Sequence, residues 1–270
     1  MIAEKDPQVR TKPAWRRWVR IAFLSWALFS SLWLANSVRT QGVEPHLLKS
    51  DARVEVVDRS TTLEFLPTAG TSETALVFVC GSGIAAEAYA PLLRPLADEG
   101  VSVFVVRLPY RFAPFESHKQ QAVNIVRALP KQHPEYTRWV VAGHSLGGAL
   151  ACRVVRTDAG SFDAMVLVGT THPKQDNLSY LKIPVTKVYG NSDGIATSND
   201  VVANAHLLPA HTRWVEIEGA NHSQFGHYGH QLMDRTATIS RESQQQQTRE
   251  VLFATITEIN QDLRMSSHAE

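Results

Sequence analysis

The stretch VVAGHSLGGAL, residues 140–150, decides the fold of this chain. A β-branched run, 138–143, leads into it and an amphipathic segment, 148–157, continues from it, which predicts a strand that turns directly into a helix. Within the turn, residues 143–147 match G-x-S-x-G, a pattern typical of a tight strand-to-helix corner with an outward serine hydroxyl. Side chains two positions before and after the serine would collide there, so both positions need glycine. The pattern predicts Ser145 as a nucleophile.

Short β-branched runs recur along the chain and alternate with helical segments. Most are apolar throughout, as expected for strands of a parallel sheet covered on both faces. The predicted strands are 76–80, 101–106, 138–143, 164–169, 185–190 and 213–219, and the predicted helices are 85–99, 118–129, 148–157 and a C-terminal helix with Leu252, Ile256, Ile259 and Leu263 on one face. Residues 53–67 predict an antiparallel hairpin at the sheet edge. This alternation predicts a doubly wound α/β domain with a mostly parallel sheet.

A serine hydroxyl needs a base to act as a nucleophile near neutral pH, and the base needs an acid to orient it. Such groups gather at the carboxyl ends of the strands, and after this type of corner the acid precedes the histidine in the chain. Asp193, in NSDG, follows strand 185–190, and His222, in ANHSQFG, follows strand 213–219. We therefore predict Asp193 and His222 as the partners of Ser145.

Other residues compete for these roles. Asp176 follows the preceding strand but lies well beyond its end, and Asp200 is typical of the first turn of a helix. His227 and His230 extend the histidine cluster to HSQFGHYGH, but their spacing matches no common zinc pattern. We predict no metal site and interpret these two histidines as loop residues.

Attack on a carbonyl carbon requires two backbone N–H groups that stabilise the oxyanion. One should come from Leu146, the residue after the nucleophile, at the start of the helix. The other should come from the glycine-rich loop after strand 76–80, because glycines let the backbone approach a substrate. We predict Ser82 for this role, with Gly83 as the second choice. His144 is expected to pack beneath the turn.

The amino terminus differs from the rest of the chain. Residues 1–20 are strongly basic, whereas 21–35, IAFLSWALFSSLWLA, carry no charge. As a helix, this uncharged stretch spans about 22 Å, short of a ~30 Å hydrocarbon layer, and its neighbours Trp18, Val19 and Val38 can extend it. We predict a basic cytoplasmic segment at 1–20 and a transmembrane signal-anchor at 21–38.

Orientation follows from the basic flank, which stays in the cytoplasm. A linker is predicted at 39–52, and everything after it is expected outside the cytoplasm, on a single-pass membrane protein. A signal peptide cleaved near Ala35-Asn36-Ser37 is the alternative, and the protein would then be secreted. A buried core helix is the third interpretation.

Composition limits the remaining functions. A formal net charge of +1 lacks the positive excess that polyphosphate requires, so we predict no nucleic-acid partner. Two cysteines, Cys80 and Cys152, make no disulfide framework and are expected to be buried. The length of 270 residues suits one large domain, placed at 53–264, with a disordered tail at 265–270. The oligomeric state stays open.

Together these motifs resemble the α/β-hydrolase superfamily, and within it the compact, lidless group called α/β-hydrolase fold-5 or dienelactone-hydrolase-like. The resemblance runs from about residue 53 to 260 and rests on CGSGIAAEAYAPLLRPLADEG (80–100), GHSLGG (143–148), YGNSDG (189–194) and GANHSQFG (219–226). It implies a Ser-Asp-His triad at Ser145, Asp193 and His222. Cys80-Gly81 departs from the His-Gly of many α/β-hydrolases, and dienelactone hydrolases proper carry cysteine at the position of Ser145.

The predicted activity is hydrolysis of acyl esters or thioesters, without a cofactor. Only about fifteen residues separate Gly169 from the strand at Val185, too few for a multi-helix cap, so the pocket should be open. Tyr110, Phe112 and Phe115 are candidates to line it, with core packing as the alternative, and the substrate is expected to be a small or lipid-like acyl compound. A non-catalytic receptor of the same fold and an acyltransferase to a cell-envelope acceptor remain open.

Overall fold

The computed structural model describes residues 14–266 as one eight-stranded sheet flanked by helices. The strands are β1 Val54–Asp58, β2 Thr62–Pro67, β3 Thr74–Val79, β4 Ser102–Val106, β5 Arg138–His144, β6 Ala164–Val168, β7 Val185–Gly190 and β8 Arg213–Ile217. The α-helices are α1 Ala14–Val38, α2 Ala90–Asp98, α3 Glu116–Gln132, α4 Leu146–Thr157, α5 Ser198–Val202 and α6 Arg241–Ser266.

The sheet has the order β1-β2-β4-β3-β5-β6-β7-β8. β2 runs antiparallel to β1 and β4, and all other neighbours are parallel. β3, β4, β6 and β7 are buried along their whole length, which explains why apolar residues predominate in their sequences. The predicted α/β class with a mostly parallel sheet is confirmed, as is the antiparallel hairpin. The loops that follow β3 to β8 meet at one edge of the sheet, called the carboxyl edge below.

The helices differ from the predictions mainly at their ends. The predicted helix 85–99 is a 3-10 turn, Ala86–Tyr89, followed by α2, which begins where Pro91 costs no hydrogen bond. α6 begins at Arg241, well before its apolar stripe. Its first turns are polar, yet Gln244 and Gln245 are buried there and donate to the backbone oxygens of Asn221 and Gln224.

Helix α1 projects from the domain, because its side chains up to Leu34 are mostly exposed. Trp15–Val38 has the length and apolar composition to cross a membrane, properties that a signal sequence shares. The last turn of α1 is different: Ser37 is buried, and Val38 packs against the core. The basic segment predicted at 1–20 is described only from residue 14 onward.

The segment 39–52, predicted as a linker, lies against the domain. Gln41 N donates to His227 O at 2.9 Å, and Thr40 forms a β-bridge with Tyr228. The buried guanidinium of Arg94 donates to the carbonyl oxygens of Leu47 and Lys49. At the other terminus, the helix continues past the predicted boundary at 264 to Ser266, and 267–270 of the predicted tail lie outside the described residues.

Candidate active site

Ser145 stands at the corner between β5 and α4 with a strained backbone, φ 54° and ψ −117°. Positive φ is rare for a residue with a side chain and persists only where the surroundings enforce it. A Cβ on Gly143 would overlap the backbone of Gly147, and one on Gly147 would overlap the carbonyl of Val79. The glycines at these two positions therefore let the corner close.

His222 and Asp193 form a buried pair at the carboxyl edge. His222 Nδ1 lies 2.8 Å from Asp193 Oδ2, and both side chains are almost completely buried. The other carboxylate oxygen, Oδ1, accepts the backbone N–H groups of Ile195 at 2.8 Å and Ala196 at 2.6 Å. A carboxylate only accepts, so Nδ1 carries the proton and Nε2 is left with its lone pair. This is the tautomer that a general base requires.

Asp234 joins the two loops that carry this pair, and the sequence analysis missed it. Its carboxylate accepts the N–H of Gly194 at 3.1 Å, next to Asp193, and the N–H of His222 at 3.2 Å. It also accepts the N–H of Ser223 at 2.8 Å and its hydroxyl at 2.6 Å. Asp234 thereby fixes the spacing between the acid loop and the histidine loop.

The ring of His222 lies beside the serine corner. Its centroid is 4.6 Å from that of His144, the residue before Ser145, and Tyr228 Oη donates to the His222 carbonyl at 2.9 Å. Within residues 14–266, the Ser145 hydroxyl has no hydrogen-bond partner. Hydrogen bonds from a nucleophile to its base are commonly long in the absence of substrate.

The backbone N–H groups of Leu146 and Ser82 have no acceptor in the described part of the chain. Around Ser82, the other N–H groups of residues 80–84 are engaged: Cys80 donates to Val106 O, Gly81 to Tyr89 Oη, Gly83 to Arg111 O and Ile84 to Gly81 O. Gly83, the second choice from the sequence, is thus occupied at 2.8 Å by Arg111 O. Among residues 80–84, the backbone N–H of Ser82 alone has no acceptor in the described part of the chain.

A buried tyrosine connects this loop to the serine corner. The Tyr89 oxygen accepts the Gly81 N–H at 3.0 Å, and it lies 2.9 Å from His144 Nδ1. Burial, with a smaller contribution from His222, lowers the pKa of His144 well below its usual value, so the ring is neutral. As expected, His144 packs beneath the turn, and the Tyr89 oxygen links it to Gly81, the residue before Ser82.

The predicted pocket aromatics lie on the loop after β4. Tyr110 and Phe115 are largely exposed, and Phe112 is partly exposed. A Cβ on Gly83 would meet Phe112 Cε1 at 2.7 Å, so this ring lies over the loop after β3, residues 80–84, called the oxyanion loop below. Tyr110 instead borders a 350 Å³ cavity with Ile84 and Arg107.

Other titratable groups stand apart from this pair. No group of three His, Cys, Asp or Glu side chains that could hold a metal ion occurs among residues 14–266. Asp176 pairs with Arg156, and Asp200 accepts the Thr197 hydroxyl at the start of α5, so both competing acids have structural partners. His172 is half-buried, and burial lowers its pKa to about 4.

Comparison with known proteins agrees with this architecture. Residues 75–246 match a family model described as the alpha/beta hydrolase family. No curated protein matches the sequence. Several solved structures superpose on most of the chain at low identity, which demonstrates the shared fold.

Three of these structures illustrate the range. An alpha/beta hydrolase enzyme from the metagenome of Mar Chica lagoon sediments, Morocco, shares 13% identity at a TM-score of 0.58, over 76% of this chain and 99% of that one. A ferulic acid esterase from Streptomyces cinnamoneus shares 19% sequence identity at a TM-score of 0.58, and the match covers 70% of this chain and 68% of the esterase. An a/b serine hydrolase without lid from Xanthomonas campestris shares 13% sequence identity at a TM-score of 0.55, and the match covers 77% of this chain and 96% of that chain.

The doubly wound, mostly parallel sheet and its agreement with these solved structures show the alpha/beta hydrolase fold. The chain belongs to the alpha/beta hydrolase family.

Proposed function

We propose that this protein is a serine hydrolase that cleaves acyl esters or thioesters through Ser145, His222 and Asp193. The observation that carries the proposal is the 2.8 Å hydrogen bond from His222 to the fully buried Asp193, on a ring that lies beside the strained serine corner. This bond holds the imidazole in the tautomer whose Nε2 accepts a proton. The three residues also follow one another in the order typical of this fold.

The reaction has two halves. Ser145 Oγ attacks the acyl carbon while His222 Nε2 takes the hydroxyl proton, and the carbonyl oxygen becomes an oxyanion held by the N–H groups of Leu146 and Ser82. The oxyanion collapses, the bond to the leaving alcohol or thiol breaks, and His222 returns the proton to the leaving group. Water then attacks the acyl-enzyme with His222 again as the base, which releases the acid and restores Ser145. Asp193 stabilises the imidazolium throughout.

A fluorophosphonate probe tests the proposal on the full-length protein. We expect covalent labelling and ester hydrolysis that are both lost in Ser145→Ala and retained in Ser161→Ala, a serine on the opposite edge of the sheet. Folded wild-type protein that neither labels nor hydrolyses a panel of esters would contradict the proposal and favour a binding protein. Transfer of the acyl group to an added alcohol, in preference to water, would favour an acyltransferase.

We also propose that α1 remains attached as a membrane anchor, with the domain outside the cytoplasm. The support is that Ser37, inside the possible cleavage site, is buried in the domain, and that Val38 packs on the core. The basic residues Arg16, Arg17 and Arg20 precede the apolar stretch, as expected for a cytoplasmic flank. Full-length protein that stays in the membrane pellet after carbonate washing supports the anchor, and a soluble protein lacking residues 1–37 contradicts it.

A further inference from the structure

The last turn of α1 is built into the rim of the candidate active site. A Cβ on Gly83 would meet Val38 Cγ1 at 3.0 Å, and one on Gly229 would overlap the carbonyl of Asn36. Arg111 Nη2 donates to Val38 O at 3.1 Å. The end of the helix therefore touches the oxyanion loop, the loop after β4 and the histidine loop. The helix enters the domain at the carboxyl edge, against the loop that carries Gly83.

The length of the apolar stretch requires this edge to lie close to the membrane. Counted from Trp18, the helix spans about 27 Å up to Ala35, close to the ~30 Å thickness of the hydrocarbon layer, so no part of it is left over as a spacer. The next residues, Asn36–Val38, already belong to the domain. Because no flexible spacer separates the helix from the domain, the carboxyl edge itself meets the lipid interface.

The exposed apolar side chains of the domain concentrate at the same edge. Among the residues that the structure describes outside α1, large exposed hydrophobic residues occur at nine positions, and six of these lie on loops of the carboxyl edge: Tyr110, Phe112, Phe115, Ile195, Leu232 and Met233. Tyr110 is 78% exposed and Met233 is 77% exposed, and both have positive φ, so the backbone holds them outward at a conformational cost. Aromatic and long apolar side chains of this kind favour the membrane interface.

Two arginine side chains, Arg39 and Arg111, lie at the same edge. A cavity of about 660 Å³ lies where α1 meets the domain, lined by Leu32, Ala35, Asn36, Arg39, Thr40 and Arg111. Arg39 and Arg111 form no ion pair with an acidic side chain in the described part of the chain. Guanidinium groups beside an apolar helix are suited to the phosphates of lipid headgroups.

We propose that the carboxyl edge docks on the leaflet from which α1 emerges, and that the substrate is an acyl ester of a lipid in that leaflet. This deepens the proposed function and rests on it for the chemistry. A lipid tail leaving the bilayer reaches Ser145 past Phe112 and Val38 without crossing bulk water. A second copy of the chain would cover the same apolar residues, but it would hold the carboxyl edge away from the leaflet, and the helix has no spare length to bridge that gap.

Label accessibility tests the docking without using activity. The full chain is reconstituted in vesicles of phosphatidylcholine and phosphatidylglycerol, with a nitroxide on Leu232→Cys or on Gly160→Cys. Gly160 is a suitable control because it lies on the loop before β6, at the opposite edge, and a Cβ there meets nothing within 4 Å. The native Cys80 and Cys152 are buried, so they do not compete for the label.

For each label we measure the ratio of its collision rate with oxygen, which concentrates in lipid, to its collision rate with a nickel chelate, which stays in water. We expect this ratio to be at least fivefold higher at position 232 than at position 160. Equal ratios at the two positions would overturn the docking. A label at 232 that is immobile and reached by neither reagent would show that protein covers this edge, which also overturns it.

Activity tests the substrate. In the same vesicles we compare a double variant, Leu232→Ser with Met233→Asn, against a control pair, Val202→Ser with Phe253→Ser, on a short soluble ester and on vesicle phospholipid. Asn is chosen at 233 because it tolerates positive φ. We expect the edge variant to retain soluble-ester hydrolysis within twofold and to lose at least tenfold on the vesicle lipid, while the control retains both.

The two proposals fail in different ways. Ser145-dependent hydrolysis of the soluble ester with none of the lipid would overturn the lipid substrate and leave the serine hydrolase intact. Soluble-ester hydrolysis that survives Ser145→Ala would instead overturn the proposed mechanism, whatever the labels report.

Discussion

Replacing Asp234 with alanine should loosen the loop that carries His222 relative to the loop that carries Asp193, without changing either of these two residues. The carboxylate accepts the N–H and hydroxyl of Ser223 at 2.8 and 2.6 Å, and the N–H groups of Gly194 and His222 at 3.1 and 3.2 Å. Hydrogen bonds to a charged group contribute roughly 1.5–3 kcal/mol each when well formed. Counting the two short bonds at the low end, and the long, partly solvated ones at about 0.5 kcal/mol, the loss is on the order of 3–4 kcal/mol.

The effect on catalysis should exceed the effect of lost stability alone. Without the carboxylate, the histidine loop is free to shift relative to Asp193, and a displacement of ~1 Å at the reacting atoms costs about 100-fold in rate. We expect Asp234→Ala to lower kcat on a soluble ester by about two orders of magnitude with little change in KM. Asp234→Asn retains an acceptor and should lie between the two.

The assay combines ester hydrolysis with urea unfolding of the full-length protein in detergent micelles. Asp200→Ala is the matched control, since that carboxylate accepts only at the exposed start of α5. It should cost less than about 1 kcal/mol and leave kcat within twofold. If Asp234→Ala were folded and equally active, Asp234 would not position the histidine loop, and the reasoning above would be refuted.

Three further outcomes follow from the structure. Gly147→Ala should abolish activity because its Cβ would overlap the carbonyl of Val79, whereas Gly148→Ala meets the movable Thr170 side chain and should retain measurable ester hydrolysis; equal activity of the two variants would contradict this. Tyr89→Phe removes the hydroxyl between Gly81 and His144 and should lower kcat about tenfold, with fluorophosphonate labelling slowed in proportion. It should also lower the free energy of unfolding by about 1–3 kcal/mol, because the buried Gly81 N–H loses its acceptor. Burial lowers the pKa of Lys187 from 10.5 to about 8, so between these values the unfolded chain binds more protons and stability should rise with pH by on the order of 2 kcal/mol. Urea midpoints at pH 7.5 and 10 should show this rise in the wild type and not in Lys187→Met.

The strands were predictable because their chemistry is local. Sheet-core runs such as 76–80 and 164–168 consist of β-branched and other apolar residues, and their burial on both faces makes the signal continuous. The serine corner was equally readable, since the overlap that requires glycine at 143 lies within the same five residues, although glycine at 147 is required by Val79 on β3.

The features that the sequence did not reveal depend on contacts between distant segments of the chain. The start of α6 is polar and lacks an apolar stripe, and it is buried only because Gln244 and Gln245 meet the backbone of the histidine loop. Asp234 follows no strand and matches no motif, so only its bonds to two separate loops reveal its position. Gly83 looked suitable for the oxyanion, but Arg111 O, far along the chain, already accepts its N–H.

The burial of Ser37 changes what a soluble version of this protein would be. Beginning the chain at Arg39 removes Asn36 and Ser37, which close against Gly229, and exposes the underside of the histidine loop. Such a shortened protein loses the residues that pack against the histidine loop as well as the membrane anchor. Rates measured on it would describe a looser enzyme than the one the full chain forms.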